Sequence, residues 1–225
     1  MTAQAQILDF SAPDDISPGM ALQGVWQDFA NSIAAMGNDS GYGDNDEMCS
    51  VLNHNTVLMH KLLMSSATYR NIVNSNFSRL VRTKHWGWRS IYEDELGRVG
   101  LFSVYRNAPV PMHDHPGTHG VLMVIEGEVE VERYTLQEQC RNRNESGIVD
   151  LDFCERKIIK PFEITWFQEK EGNIHGLKSL SDQCVMLKIQ LPRGVNCNRS
   201  WYFPTFSTGG GQKVMPARRI MNRFL

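Results

Sequence analysis

Three of the seven histidines fall within Met112-His113-Asp114-His115-Pro116-Gly117-Thr118-His119-Gly120. On an extended strand, side chains two residues apart leave the same face, so His113 and His115 can direct two imidazoles at one point, the geometry of a chelate. A polar strand end carrying exposed histidines has the same spacing. Pro109, Pro111 and Pro116 stiffen this stretch, which lowers the entropic cost of holding ligands in place. A further histidine stands in a second strand-like segment, Asn173-Ile174-His175-Gly176, and supplies a candidate third ligand. Imidazole suits several divalent metals, so the ligand type does not by itself select one.

The elements that must position these groups change character along the chain. Ser17-Pro18 is a cap followed by the residue favoured at the first helical position, and Met20, Val25, Trp26, Phe29, Ile33 and Met36 roughly keep one face, which predicts a helix to about Gly37. Asn38 to Asp46 is dense in turn formers and reads as a loop. Two or three shorter helices are expected between Glu47 and Val81, with Leu58, Leu62 and Leu63 as core contacts.

From about Thr83, aromatic and β-branched residues alternate with polar ones, as in Trp86 to Tyr92. Further strands are expected at Val99 to Tyr105, Gly120 to Ile125, Glu128 to Leu136, Arg156 to Lys160, Ile174 to Ser179 and Cys184 to Gln190, with Gly127 as a hairpin turn. Many short strands separated by Gly, Pro, Asn and Asp describe a sandwich or barrel. The expected layout is one domain: a helical segment over 1–82 packed on a β-barrel over 83–206, followed by a flexible basic tail over 207–225. Ile220, Met221, Phe224 and Leu225 give that tail apolar groups with which to dock.

The composition excludes several function classes. A formal net charge of -2, with 23 basic residues scattered along the chain, provides no field to attract nucleic acid. No apolar run approaches the roughly 20 residues that span a bilayer. The N-terminus lacks a basic region followed by an apolar core, so no secretory signal is expected and the chain is read as cytoplasmic. Five widely spaced cysteines without a CxxC pair argue against a disulfide framework or a zinc ribbon and read as small hydrophobes of a reducing compartment.

The histidine blocks resemble the cupin pattern, in which an HxH strand and a later histidine meet inside a double-stranded β-helix barrel. The glutamate that usually follows the second histidine is missing, since His119 and Gly120 occupy that stretch. This departure is similar to the thiol dioxygenase branch. The resemblance is closer still to the plant cysteine oxidase and cysteamine dioxygenase family, carried by Ile91-Tyr92-Glu93, Pro109 to Gly117, Gly172-Asn173-Ile174-His175, Leu191-Pro192 and Trp201-Tyr202-Phe203 in the same order. It covers roughly Trp86 to Phe206 and implies a mainly β cupin (jelly-roll) fold with Fe(II) held by His113, His115 and His175. The implied partners are a small thiol and dioxygen, and the implied product is a sulfinate. Three neutral imidazoles leave the ion its double positive charge, which favours a thiolate as the next ligand.

Other roles follow from the same resemblance. Arg89 stands 24 residues before His113, a position similar to that of the arginine that holds the substrate carboxylate in related cysteine dioxygenases. His119 is a candidate substrate-side acid or base, or an alternative ligand, and Tyr202 a candidate pocket residue beside Trp201. Asp114 alternates away from the metal face and reads as a loop carboxylate. Gly120 stands where animal cysteine dioxygenases carry a crosslinked cysteine, so no such crosslink forms here. Lys188 occupies the position of an aspartate that serves N-terminal cysteine in the plant oxidases. A lysine repels an ammonium and attracts a carboxylate, so cysteine or a mercapto acid is expected rather than a peptide N-terminus. Two alternatives remain open at this level: a cupin metalloenzyme of isomerase or decarboxylase type, and a noncatalytic cupin that senses a metal or ligand. Oligomeric state is not legible.

Overall fold

The computed structural model describes residues 24, 26–27, 45–65, 67, 70–71, 86–95, 97–138, 146–167, 173–191, 199–205 and 214–221. The helix α1 (Asn45–Ser65) precedes eleven strands among the described residues: β1 (Gly87–Glu93), β2 (Arg98–Tyr105), β3 (Val110–His113), β4 (His119–Glu126), β5 (Val129–Leu136), β6 (Gly147–Ile159), β7 (Ile164–Phe167), β8 (Ile174–Ser179), β9 (Gln183–Leu191), β10 (Ser200–Pro204) and β11 (Val214–Met221). A five-stranded sheet runs β1-β2-β9-β4-β7, and a closed ring runs β10-β11-β6-β5-β8-β3. This is a mainly β, cupin-type barrel with a helix ahead of it.

Strand alternation sorts the core into three clusters. Phe102, Val104, Leu122, Val124, Cys184 and Met186 of the sheet meet Val110, Val129, Val131, Ile159 and Leu177 of the ring, and this face is the sandwich interior. The intervening residues Leu101, Val121, Met123, Val185, Leu187 and Ile189 turn to the other side of the sheet and pack with Trp26, Met59 and Leu63. Each such aliphatic side chain, taken fully out of water, contributes about 1.5–3 kcal/mol. The third cluster, including Met112, Tyr134, Leu151, Ile174, Tyr202, Met215 and Ala217, draws on the ring strands alone. Trp26 is locked in place by its indole nitrogen, which donates to Asp94 Oδ2 at 2.6 Å.

Several expectations need correction. Residues 214–221 are not a flexible tail: β11 pairs with β10 on one side and β6 on the other and closes the ring. Its buried Met215, Ala217 and Arg219 alternate with more exposed Val214, Arg218 and Ile220, a period-two pattern that scattered basic residues obscure. β6 begins at Gly147, nine residues before the expected Arg156. Gly127 takes a positive φ of 79°, but the strands it joins lie in different sheets, so it turns a crossing between layers rather than a hairpin. A Cβ there would crowd the carbonyl oxygen of Gln183.

The expected loop at 38–46 ends earlier than predicted, because α1 already includes Asn45 and Asp46. That helix runs unbroken for 21 residues in place of the first of the shorter helices, its sequence containing neither Gly nor Pro. Leu63 is buried as expected, whereas Leu58 is 39% exposed; the side chain of Leu62 and most of the expected helix from Ser17 to Gly37 lie outside the described residues. Among the described residues no helix is long and apolar enough to cross a membrane.

Candidate metal centre

β3 and β8 pair so that His113 stands directly opposite His175, which places the two imidazoles side by side on the sandwich face. His115 lies two residues beyond β3 and is brought back by a turn. Thr118 N and Thr118 Oγ1 both donate to the His115 carbonyl, at 3.2 and 3.0 Å, with Pro116 and Gly117 between them. Gly117 has φ 67°, the left-handed value that the third position of a type II turn demands and that glycine adopts without strain. Asn173, two residues before His175, accepts from the His115 backbone N–H at 2.9 Å. The second histidine block thus holds the first in register.

The three rings meet at centroid separations of 4.8, 4.7 and 5.0 Å, and one nitrogen of each lies within 4.8 Å of the others. All three residues are 2–3% exposed. His113 Nδ1 lies 2.9 Å from the Pro111 carbonyl; donating there, it leaves Nε2 as the free lone pair. His115 Nε2 and His175 Nε2 are buried with no hydrogen-bond partner. Buried polar atoms are satisfied in the great majority of cases, and a shared cation would satisfy these together. Burial holds the three pKa values well below 6.5, reinforced by the charges of Lys188 and Arg199. The imidazoles are therefore neutral ligands at pH 7, with no proton to displace.

Aromatic rings wall the site. Phe167 stacks on His115 at 4.3 Å and meets His175 edge-on at 5.2 Å, and Trp201, directly opposite His113 in β10, lies 5.1 Å from it. Gly120 makes the Phe167 position available, since a Cβ there would lie 2.1 Å from Phe167 Cζ and 2.7 Å from the Ile189 carbonyl oxygen. Lys188, 7% exposed, lies with its ammonium 5.2 Å from the Phe167 ring centre and 5.7 Å from that of Phe102. Burial first, then Arg199 and Arg98, push its pKa well down. Arg199 approaches His115 Nδ1 at 3.4 Å. Arg98 donates twice to Gln190 Oε1, at 3.1 and 2.8 Å, and lies over Trp88.

Two of the other expected site residues, Arg89 and Tyr202, separate from this cluster. Arg89 pairs in register with Leu101, whose side chain belongs to the cluster under Trp26, so it occupies the opposite face of the sheet from Trp88 and Phe102 and does not reach the histidines. Tyr202 pairs with Met112 rather than His113 and is buried in the ring cluster, where its hydroxyl donates to Asp114 Oδ2 at 2.8 Å. It positions the HDH segment instead of lining the pocket. Asp114 does turn away from the imidazoles as expected, and also accepts from Ser200 N at 2.7 Å. The backbone of His119 pairs with Leu191, and its side chain lies outside the described residues.

Arg98, Gln190, Phe167 and Arg199 went unremarked in the sequence. A usable signal existed for one of them: Gln190 stands two residues from Lys188 in a run that is otherwise apolar from Cys184 to Leu191, and that spacing puts both on one face.

A family model described as PCO_ADO matches residues 54–205. Two curated relatives match over 41 residues, 2-aminoethanethiol dioxygenase of Mus musculus at 44% identity and of Homo sapiens at 42%. That stretch is 18% of this chain and 16% and 15% of theirs. Among solved structures, a protein with a double-stranded β-helix domain from Klebsiella pneumoniae is 15% identical at TM-score 0.37, covering 52% of this chain and 90% of that one. An RmlC-like cupin from Desulfovibrio desulfuricans is 14% identical at TM-score 0.35, covering 49% and 85%.

Proposed function

The chain belongs to the PCO_ADO family, and from that premise we propose that it is a non-haem iron(II) thiol dioxygenase acting on a small thiol in the cytosol. The observation that carries the reading is the buried triad of His113, His115 and His175, two of whose Nε2 atoms have no hydrogen-bond partner. Among the described residues no carboxylate joins that group. A divalent ion there keeps its full charge, which favours a thiolate beside it.

Iron, when bound, supplies the redox chemistry that joins dioxygen to sulfur. The chain's own residues do the rest. The three imidazoles, held neutral by burial, offer lone pairs without releasing protons. The positive charges of Lys188 and Arg199, felt by all three rings, favour the deprotonated thiol. Phe102, Phe167 and Trp201 keep bulk water from the pocket and strengthen those charges by lowering the local dielectric. The balance is a thiolate plus dioxygen giving a sulfinate: two S–O bonds form, the O–O bond breaks, sulfur gives up four electrons and dioxygen accepts them.

Oxygen uptake on the iron-loaded protein, with cysteine, mercapto acids, cysteamine and N-terminal cysteine peptides, tests the reading. Stoichiometric consumption with a mass gain of two oxygen atoms in one of them is expected. Full iron loading without oxygen consumption on any thiol overturns it.

A further inference from the structure

We infer that Lys188, with Arg199 beside it, forms a subsite for the carboxylate of the substrate, so that the thiol oxidised here is a small thiol acid and not an aminothiol. The inference rests on the thiol dioxygenase reading and adds to it the chemistry of the substrate's other end.

β9 is buried along its whole length. In such a strand a lysine needs a reason, because a buried ammonium without a partner is costly. Alternation places Lys188 on the face of Cys184 and Met186, inside the sandwich, while Leu187 and Ile189 turn to Trp26. Its ammonium hangs over Phe167, the ring that stacks on His115, so it looks onto the three histidines. Ring faces attract a cation only modestly. Among the described residues no carboxylate forms an ion pair with it.

Asp114 acts on Arg199, while the causes that shift Lys188 are burial, Arg199 and Arg98, with no carboxylate among them. Asp114 accepts from Ser200 N and Tyr202, and Glu155 pairs with Arg133 at 2.6 Å. Arg199 lies 3.4 Å from His115 Nδ1, and both its charge and that of Lys188 act on all three rings, so a ligand beside the histidines meets two positive groups. Arg98, held by Gln190, adds to the same field. An anion completes this arrangement with charge-assisted hydrogen bonds, whereas an ammonium in the same place meets like charges at low dielectric.

The test is binding, read apart from turnover. The cobalt(II)-loaded protein is titrated with 3-mercaptopropionate, its methyl ester and 2-aminoethanethiol, following the thiolate-to-cobalt absorption band. The acid is expected to bind on the order of tenfold or more tighter than the ester, the size of one charge-assisted hydrogen bond, and 2-aminoethanethiol most weakly. Lys188→Met should weaken the acid more than the ester, so that the acid-to-ester ratio falls toward one, and Lys188→Arg should retain the preference. Equal binding of acid and ester by the parent protein overturns the inference, whether or not the variants fold. So does a Lys188→Met loss that is the same for both. Acid-selective binding without oxygen uptake on any thiol would leave the subsite standing and remove the dioxygenase reading instead.

Discussion

Lowering the pH from 7.5 to 5.5 should cost the metal-free protein about 4 kcal/mol of stability through the three clustered imidazoles alone. In the folded chain His113, His115 and His175 are held well below 6.5, first by burial and then by neighbouring positive charge. In the unfolded chain they titrate near 6.5. As pH falls through that value the unfolded state takes up protons that the folded state refuses, so stability present above about 6.5 is lost below it. Over these two pH units each unfolded imidazole goes from about one-tenth to about nine-tenths protonated, worth about 1.4 kcal/mol. Three of them reach a sizeable part of the roughly 5–15 kcal/mol that holds a domain together. His60, also lowered by burial, acts in the same direction. Asp114 is raised by burial and acts oppositely, since the folded state protonates it first as pH falls. Urea unfolding of chelator-treated protein at several pH values gives the slope. His175→Gln should reduce the loss by about one third, and saturating zinc should raise stability at each pH where it binds. A metal-free stability that is flat between pH 7.5 and 5.5, or a His175→Gln slope equal to the parent's, would refute the reasoning.

Gly120→Ala should cost about 1–3 kcal/mol by overpacking and weaken metal binding, because the new methyl displaces Phe167 from His115; thermal melts with and without zinc measure both, and Phe167→Leu in the same chain should recover part of the stability. Tyr202→Phe removes the hydrogen bond to Asp114 and should cost about 1–3 kcal/mol of stability while shifting kcat less than loss of a histidine does. Arg89→Ala, on the far side of the sheet, should leave kcat/KM for thiol acids within about twofold, read by oxygen uptake, because an effect above about 1 kcal/mol needs a contact that this register denies it. Truncation after Phe206 deletes β11 and should yield a chain that binds a hydrophobic dye and melts without cooperativity, since Leu151 and Tyr202 lose the strand that packs with them.

Local signals carried most of the fold. The apolar runs at Val99 to Tyr105 and Cys184 to Gln190 predicted strands within a residue of β2 and β9, because burial on both faces leaves few polar positions. The short strand β7, four residues long, and β10 and β11 escaped, and β3, equally short, was read only as the strand that carries the first histidine pair. Four residues hold too few alternations to register a period, and β11 hides its period under Arg218 and Arg219. Which strands share a sheet was not legible at all. Gly127 has the composition of a hairpin turn, and only the pairing of β4 with β9 and of β5 with β8 shows that the chain crosses layers there.

At the site, spacing found the groups, and register decided which of them face it. His113 and His115 were legible through the two-residue spacing of a strand, although only His113 lies on β3 and a turn brings His115 back to it, and His175 because its block matches theirs. The same rule, followed one residue further, separates Trp201 from Tyr202, and across the β1–β2 pair it sets Arg98 on the face of Phe102 and Arg89 on that of Leu101. Each pair offers the right chemistry at nearly the right place, but a step of one residue moves a side chain through the sheet. Arg89 has the charge expected of a carboxylate anchor and lies opposite Leu101, whereas Lys188 lies two residues from Met186 on the interior face. If the acid-selective binding of 3-mercaptopropionate followed Arg89 and not Lys188, the register of β1 on β2 would itself have to be wrong.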